Sequence, residues 1–172
     1  MADAPIKYFS TNAAIFGTPD LDKRIAGGTL KTIGLAEAII TGQAADGGLL
    51  MPTHFPEISL EAIAGMKNMS YAQVFVETTK GFFEGVLSES TLERIAKEAY
   101  EGSHPFAPFI ETISGRDFIG RLDEGPTAAF KDYAAQILFR VVEALMKEEP
   151  KSEIAFRQRL KDIELLSFIT ST

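Results

Sequence analysis

The chain has 172 residues, 45% of them hydrophobic, and its 24 acidic against 17 basic side chains leave no basic stripe to neutralise phosphates, which argues against nucleic acid as a partner. Zero cysteines exclude disulfides, thiolate metal sites and a cysteine nucleophile. No apolar run approaches the length of a membrane span, and MADAPIKYFS lacks both the charged and the hydrophobic region of a signal peptide, so the expectation is a cytoplasmic protein of one domain, or of one domain and a small appendage.

Ile6 to Ser10 is predicted as a short strand leading into a loop, and residues 13–31 carry turn signals at Thr18-Pro19-Asp20 and Gly27-Gly28. That glycine pair reads as a hairpin rather than a phosphate cradle, because no buried strand precedes it and no glycine fingerprint follows. Thr32 precedes a short helix with Leu35, Ala38 and Ile39 on one face, closed by Gly42, and Asp46-Gly47 predicts a tight turn. Helical signals then dominate. Ser59 opens a short helix, Ser70 with Gln73 forms a capping box for a helix ending near Gly81, and Ser90 with Glu93 forms another for a helix ending at Gly102. In that last helix Leu92, Ile95, Ala96, Ala99 and Tyr100 supply the apolar stripe. His54 and His104, the only histidines, fall in loops or beside prolines and are expected to be solvated, with no metal site and no catalytic base.

An α/β body is expected to begin with a buried strand at Phe118 to Leu122, which leads through Asp123, Glu124 and Gly125 into the most regular helix of the sequence. On a helical wheel from Phe130 to Met146, Tyr133, Ile137, Val141, Leu138 and Met146 fall on one broad apolar arc, and Asp132, Gln136, Arg140, Glu143 and Lys147 on a narrow polar stripe. Lys131 falls in the middle of the apolar arc, in the first turn. Desolvation and the positive helix end would both disfavour its charged form, leaving an amine able to attack an aldehyde or ketone. The other reading has Lys131 run its methylenes along the apolar surface and return its ammonium to water. Spacing leaves both open. Pro126 and Thr127, a candidate N-cap, set how the chain enters this helix. A linker at Glu148-Glu149-Pro150-Lys151, an amphipathic helix from Ser152 to Ile163 and a buried strand from Leu165 to Thr170 are expected to complete a βαβ-like unit.

The stretch GPTAAFKD, Gly125 to Asp132, continued by DYAAQ, resembles the cofactor-lysine segment of threonine synthases. Tyr8 to Asn12 (YFSTN), Ala45 to Pro52 (ADGGLLMP) and Ser70-Tyr71-Ala72 stand in the order found in that family's N-terminal region, so the resemblance covers nearly the whole chain. It implies an α/β pyridoxal-phosphate fold type II (tryptophan synthase β-like), here an incomplete N-terminal portion with a helical N-terminal layer. Residues 1–112 would be the mostly helical N-terminal region, and 113–172 the start of the domain carrying the cofactor lysine. The family's phosphate-holding Ser-Gly-Asp-Thr-Gly loop would follow the strand ending at Thr172, so the chain is expected to be part of a longer enzyme. Glu124 stands where many family members have histidine, and it reads as a solvated turn residue.

The resemblance further implies pyridoxal 5'-phosphate as cofactor, with Lys131 as the catalytic residue and Lys131, Phe130 and Asp132 as cofactor-binding residues. Asp132 itself is explained well enough by the helix dipole. The implied reaction converts O-phosphohomoserine and water into threonine and phosphate. Partners would be that small substrate and either the missing C-terminal part of the enzyme or a second copy joined through an exposed sheet edge. Two other readings stand: a different fold type II lyase or dehydratase, against which YFSTN and DGGLLMP count, and a non-catalytic module with a snorkelling Lys131.

Overall fold

The structure is a computed structural model that describes residues 5–15 and 30–147. The turns at Thr18-Pro19-Asp20 and Gly27-Gly28, the linker after Lys147, the Ser152 to Ile163 helix and the Leu165 to Thr170 strand lie outside the described residues. Two compact units divide the chain, one of residues 1–55 with 145–172 and one of residues 56–144.

In the first unit, β1 (Tyr8–Ser10) is followed by the short helix α1 (Thr11–Ile15), then α2 (Leu35–Thr41) and β2 (Leu50–Pro52). The two strands pair antiparallel with Phe9 opposite Met51. On its other side Tyr8 exchanges two backbone hydrogen bonds of 2.9 Å with Ile33, so helix α2 starts only after Gly34 and Thr32 does not cap it. Gly42 ends α2 with φ of 68°, in the left-handed region that glycine enters without steric cost.

The predicted Asp46-Gly47 turn is more than a turn. Asp46 accepts a hydrogen bond from the Ser10 hydroxyl at 2.6 Å and one from the Gly48 amide at 3.0 Å, and its carbonyl accepts from Asn12 Nδ2 at 2.8 Å. Thr11 and Leu49 add a reciprocal pair of 2.9 Å bonds, Thr11 N to Leu49 O and Leu49 N to Thr11 Oγ1. The segments YFSTN and ADGGLLMP are therefore one junction. A Cβ on Gly48 would collide with Ser10 Oγ and lie 2.8 Å from the Asn12 backbone nitrogen, so only glycine lets the chains approach this closely. The Ser10 hydroxyl, and then the Gly48 amide, hold the Asp46 carboxyl below the usual carboxylate range.

The second unit opens with α3 (Leu60–Gly65), capped by Ser59, whose hydroxyl accepts from the Ala62 amide at 3.1 Å, and a 3-10 turn follows at Met66–Asn68. Helix α4 (Tyr71–Phe83) begins with the predicted capping box: Gln73 Oε1 accepts from the Ser70 amide at 2.8 Å and Ser70 Oγ from the Gln73 amide at 3.4 Å. Gly81 does not stop it. There the glycine admits Pro56, whose ring would lie 2.7 Å from an added Cβ.

Helix α5 (Glu89–Tyr100) is capped by Ser88, not by Ser90 as expected; the Ser88 hydroxyl accepts from the Thr91 amide at 3.1 Å. Leu87 and Leu92 flank this cap, both buried, in the positions of a hydrophobic staple, and that burial fixes the start two residues earlier than the Ser90-Glu93 pattern. Leu92, Ile95, Ala96, Ala99 and Tyr100 are buried, as the stripe predicts.

After α5 come β3 (Phe109–Ser114) and β4 (Asp117–Arg121), an antiparallel hairpin turned at Gly115 with φ of 53°, then α6 (Lys131–Lys147). The strand expected at Phe118 to Leu122 exists, but it is not buried. Every residue of β3 and β4 is exposed, and among the described residues they form a two-stranded sheet of their own.

Candidate active site

Arg121 pairs with Asp123 at 2.6 Å and, more distantly, with Glu124 at 3.7 Å, all on the surface, so Glu124 is an exposed, ion-paired residue ahead of the turn that starts at Gly125. The loop after it folds around Asp132. Asp132 Oδ2 accepts from the Thr127 amide and Oδ1 from the Thr127 hydroxyl, both at 2.8 Å. Asp132 lies only 8% exposed, which corrects its placement on a solvated polar stripe: the carboxylate turns back to satisfy the loop instead of facing water. These two bonds hold its carboxyl below the ordinary range, the Thr127 amide contributing most. Thr127 is thus a donor to the helix's second residue and not its N-cap.

Two backbone features make that closure possible. A Cβ on Gly125 would sit 2.6 Å from Asp132 Cβ, so the carboxylate occupies space that any other residue would fill. Ala128 takes φ of 55°, the left-handed region that a residue with a Cβ rarely enters, while its amide bonds the Gly125 carbonyl at 3.0 Å. The strain sits three residues from Lys131 and is held by Asp132.

Lys131 is the first residue of α6 and is exposed. The broad apolar arc is not a buried face but two stripes: Tyr133, Ile137, Val141 and Ala144 are buried, whereas Phe130 (65% exposed), Leu138 and Met146 face outward with Lys131 among them. A hydrophobic count on the wheel cannot distinguish these halves, because it registers side-chain chemistry and not what covers it. Phe130, next to the lysine, is the most exposed large apolar residue of the helix and its approach.

The buried stripe is fixed by an aromatic cluster that composition alone did not suggest. Tyr71 of α4 packs edge-on to Tyr100 with ring centroids 4.6 Å apart and to Tyr133 at 5.8 Å, and Phe106 packs on Tyr133 at 5.0 Å. Tyr100 donates its hydroxyl to the Tyr133 carbonyl at 2.8 Å, tying α5 to the first turn of α6. The Tyr133 hydroxyl is buried with no hydrogen-bond partner among the described residues, and burial raises its pKa. Its signal in the sequence is the SYA and DYAAQ motifs, both of which place a tyrosine here. Lys131, Phe130 and Asp132 therefore stand together but divide their surroundings: the first two face outward and Asp132 faces the loop.

A lysine exposed on an apolar helix stripe thus stands behind a loop closed by the following aspartate. Residues 26–100 match the family model described as threonine synthase N terminus. Threonine synthase from Pseudomonas aeruginosa is 28% identical over 120 residues, 69% of this chain and 26% of that protein. Among solved structures, PLP-bound threonine synthase from Brucella melitensis superimposes with a TM-score of 0.67 at 28% identity, covering 83% of this chain and 28% of that one. The yeast enzyme does so with a TM-score of 0.61 at 26% identity, over 86% and 28%. The chain is similar to the N-terminal portion of threonine synthases, with a fold like that part of the pyridoxal-phosphate-bound enzyme, and it spans about a quarter of the length of those relatives. Among the described residues no helix is long and apolar enough to cross a membrane.

Proposed function

We propose that this chain supplies the cofactor-lysine segment of a pyridoxal-phosphate-dependent threonine synthase that converts O-phosphohomoserine and water into threonine and phosphate, in the cytoplasm. The observation that carries the reading is the exposed Lys131 at the head of α6, on an apolar stripe and behind the Asp132-closed loop. These residues fit the cofactor: an accessible amine to hold its aldehyde, and the apolar Phe130 beside it to cover a flat ring. When bound, the cofactor supplies an electron sink for carbanion chemistry.

Lys131 Nζ would hold the cofactor, be displaced by the substrate amine, and then move protons at the substrate α and β carbons as base and acid. Asp132 acts behind it. By accepting both Thr127 donors it fixes the strained loop, so that the amine starts from a defined position and not from a fraying helix end. Groups that hold the cofactor phosphate and ring nitrogen would come from the three quarters of the family's length that this chain does not span.

The test is to incubate the chain with pyridoxal phosphate, reduce with borohydride and locate modified lysines by peptide mass. Stoichiometric modification at Lys131, absent in Lys131→Ala, is the expected result. Modification scattered over surface lysines, unchanged in the variant, would sink the reading.

A second reading concerns partners. Phe109, Ile110, Phe118 and Ile119 of the hairpin are 46–59% exposed, and both its edges lack a neighbouring strand among the described residues. We infer that β3 and β4 are covered in the working protein, either by the remainder of a threonine synthase body or by a second copy. Sedimentation of the chain over a range of concentrations distinguishes the two, because only the second copy makes the mass rise with concentration.

A further inference from the structure

Lys131 and Arg140 are nine positions apart on α6, and at about 100° per residue they point to opposite sides of the helix. On the Arg140 side lies an open cavity of about 350 Å³ within the second unit, lined by Ser103, His104, Phe106, Pro126, Gln136 and Arg140 among others. Such a volume is at the lower end of what small-molecule sites occupy. Its chemistry is uneven. The Arg140 Nη1 donates to the Gln136 carbonyl and to Gln136 Oε1, each at 2.8 Å, which fixes the plane of the guanidinium. Nε and Nη2 make no hydrogen bond among the described residues. An arginine whose plane is set and whose remaining fork is open is preorganised for a bidentate oxyanion.

The surrounding groups agree with that chemistry. Glu98 also borders the cavity, but Arg94 engages its Oε1 at 3.0 Å, so its charge is shared with a cation on its own helix. Ser103 adds a hydroxyl donor and His104 a ring nitrogen, while Phe106 and Pro126 provide apolar walls. We propose that this cavity is a second binding site, separate from the lysine face, for a small molecule bearing a carboxylate or phosphate group held by Arg140. Its walls reach the lysine segment. Pro126 belongs to the Gly125 to Asp132 loop, and Phe106 packs on Tyr133 at 5.0 Å, so an occupant borders the loop that precedes Lys131 and a ring that packs on its helix.

The experiment is a nitrogen-15 NMR titration of the chain with inorganic phosphate and, separately, with acetate, each against sodium chloride at matched ionic strength. A saturable shift of the Arg140 Nε–H signal and of amides around Gly102 and Phe106 is expected with at least one of the two anions. Which anion gives it identifies the group. Arg140→Gln should weaken the response about tenfold or more, as loss of a charged bidentate contact does. Arg140→Lys, which keeps the charge without the fork, should weaken it too and decides the matter if the glutamine variant fails to fold. Lys131→Ala should leave it intact, which separates this site from the cofactor reading. Shifts that merely follow chloride, or that persist unchanged in both arginine variants, would overturn the proposal.

Discussion

Two carboxylates, one in each unit, do the same job at different range. Asp46 accepts from the Ser10 hydroxyl and the Gly48 amide, and Asp132 accepts from the Thr127 hydroxyl and amide. Each presses against a glycine that cannot be replaced without a collision, Gly48 in one case and Gly125 in the other. The separation differs: Ser10 and Asp46 are 36 positions apart in sequence, but Thr127 and Asp132 only five. A bond across 36 residues closes a long loop and holds two strands in register, whereas one across five shapes a single turn. The first junction is therefore a fold determinant and the second a positioning device for the neighbouring lysine.

The contrast can be broken most severely at the glycines. Gly48→Ala forces a Cβ to 2.8 Å from the Asn12 backbone nitrogen, an atom that moves only if the strand junction moves. We expect a loss of about 3 kcal/mol, read as a lowered urea midpoint, because overpacking against backbone has no rotamer to relax into. Gly125→Ala meets the Asp132 side chain, at 2.5 Å from Oδ2 and 2.6 Å from Cβ; the carboxylate can rotate away at the expense of its Thr127 bonds, and the Cβ contact is relieved by a local shift of the exposed loop rather than of two paired strands. The expected loss is smaller, about 1 kcal/mol, with slower modification of Lys131 by pyridoxal phosphate as the second readout. Equal losses at the two glycines would refute the distinction between fold determinant and positioning device.

That same distinction explains what could be read in advance. The Ser59 cap, the Ser70-Gln73 box and the Gly42 stop are local patterns, and all three are present in the structure. Ser88 was missed because Ser90 with Glu93 fits the capping rule equally well, and the choice was made by burial of Leu87 and Leu92, which no three-residue pattern contains. The GPTAAFKD lysine was visible from its motif and position. Its exposure was not, since half of the apolar arc of α6 is uncovered. The hairpin had a legible signal in Ser114-Gly115-Arg116-Asp117, a glycine turn between two β-rich runs, yet one strand of it was assigned to a buried sheet because its apolar content suggested burial. Asp46 was seen as a turn former; its long-range partner Ser10 could not be, because nothing in either segment names the other.

A milder perturbation acts on both carboxylates together. Their pKa values in the folded chain are lowered, chiefly by Ser10 at Asp46 and by the Thr127 amide at Asp132. In the unfolded chain a carboxyl takes up its proton near the ordinary value of about 3.9. The unfolded state thus binds protons first on acidification, so the stability contributed by each junction is present above that value and is lost as pH falls through the lower folded value. Urea midpoints between pH 6 and pH 3 should fall with acidification, and Asp46→Asn and Asp132→Asn should each flatten the profile. A profile left unchanged by both substitutions would mean that neither carboxylate is coupled to folding.

The smallest effect is expected where neither kind of junction operates. Ile113 is 60% exposed and Phe118 59%, so replacing either with threonine removes little buried surface and leaves a side chain of good strand propensity in place. Stability should change by no more than about 0.5 kcal/mol. A larger loss would show that the hairpin is covered even in the isolated chain. If the chain self-associates, the same substitutions should lower the sedimenting mass at a fixed concentration while the urea midpoint stays put, because contact between copies uses exposed apolar area that the fold of a single copy does not. Association that survives Phe118→Thr and Ile113→Thr together would assign the contact to the uncovered stripe of α6, where Phe130 and Leu138 flank Lys131, and copies joined there would compete with pyridoxal phosphate for the lysine.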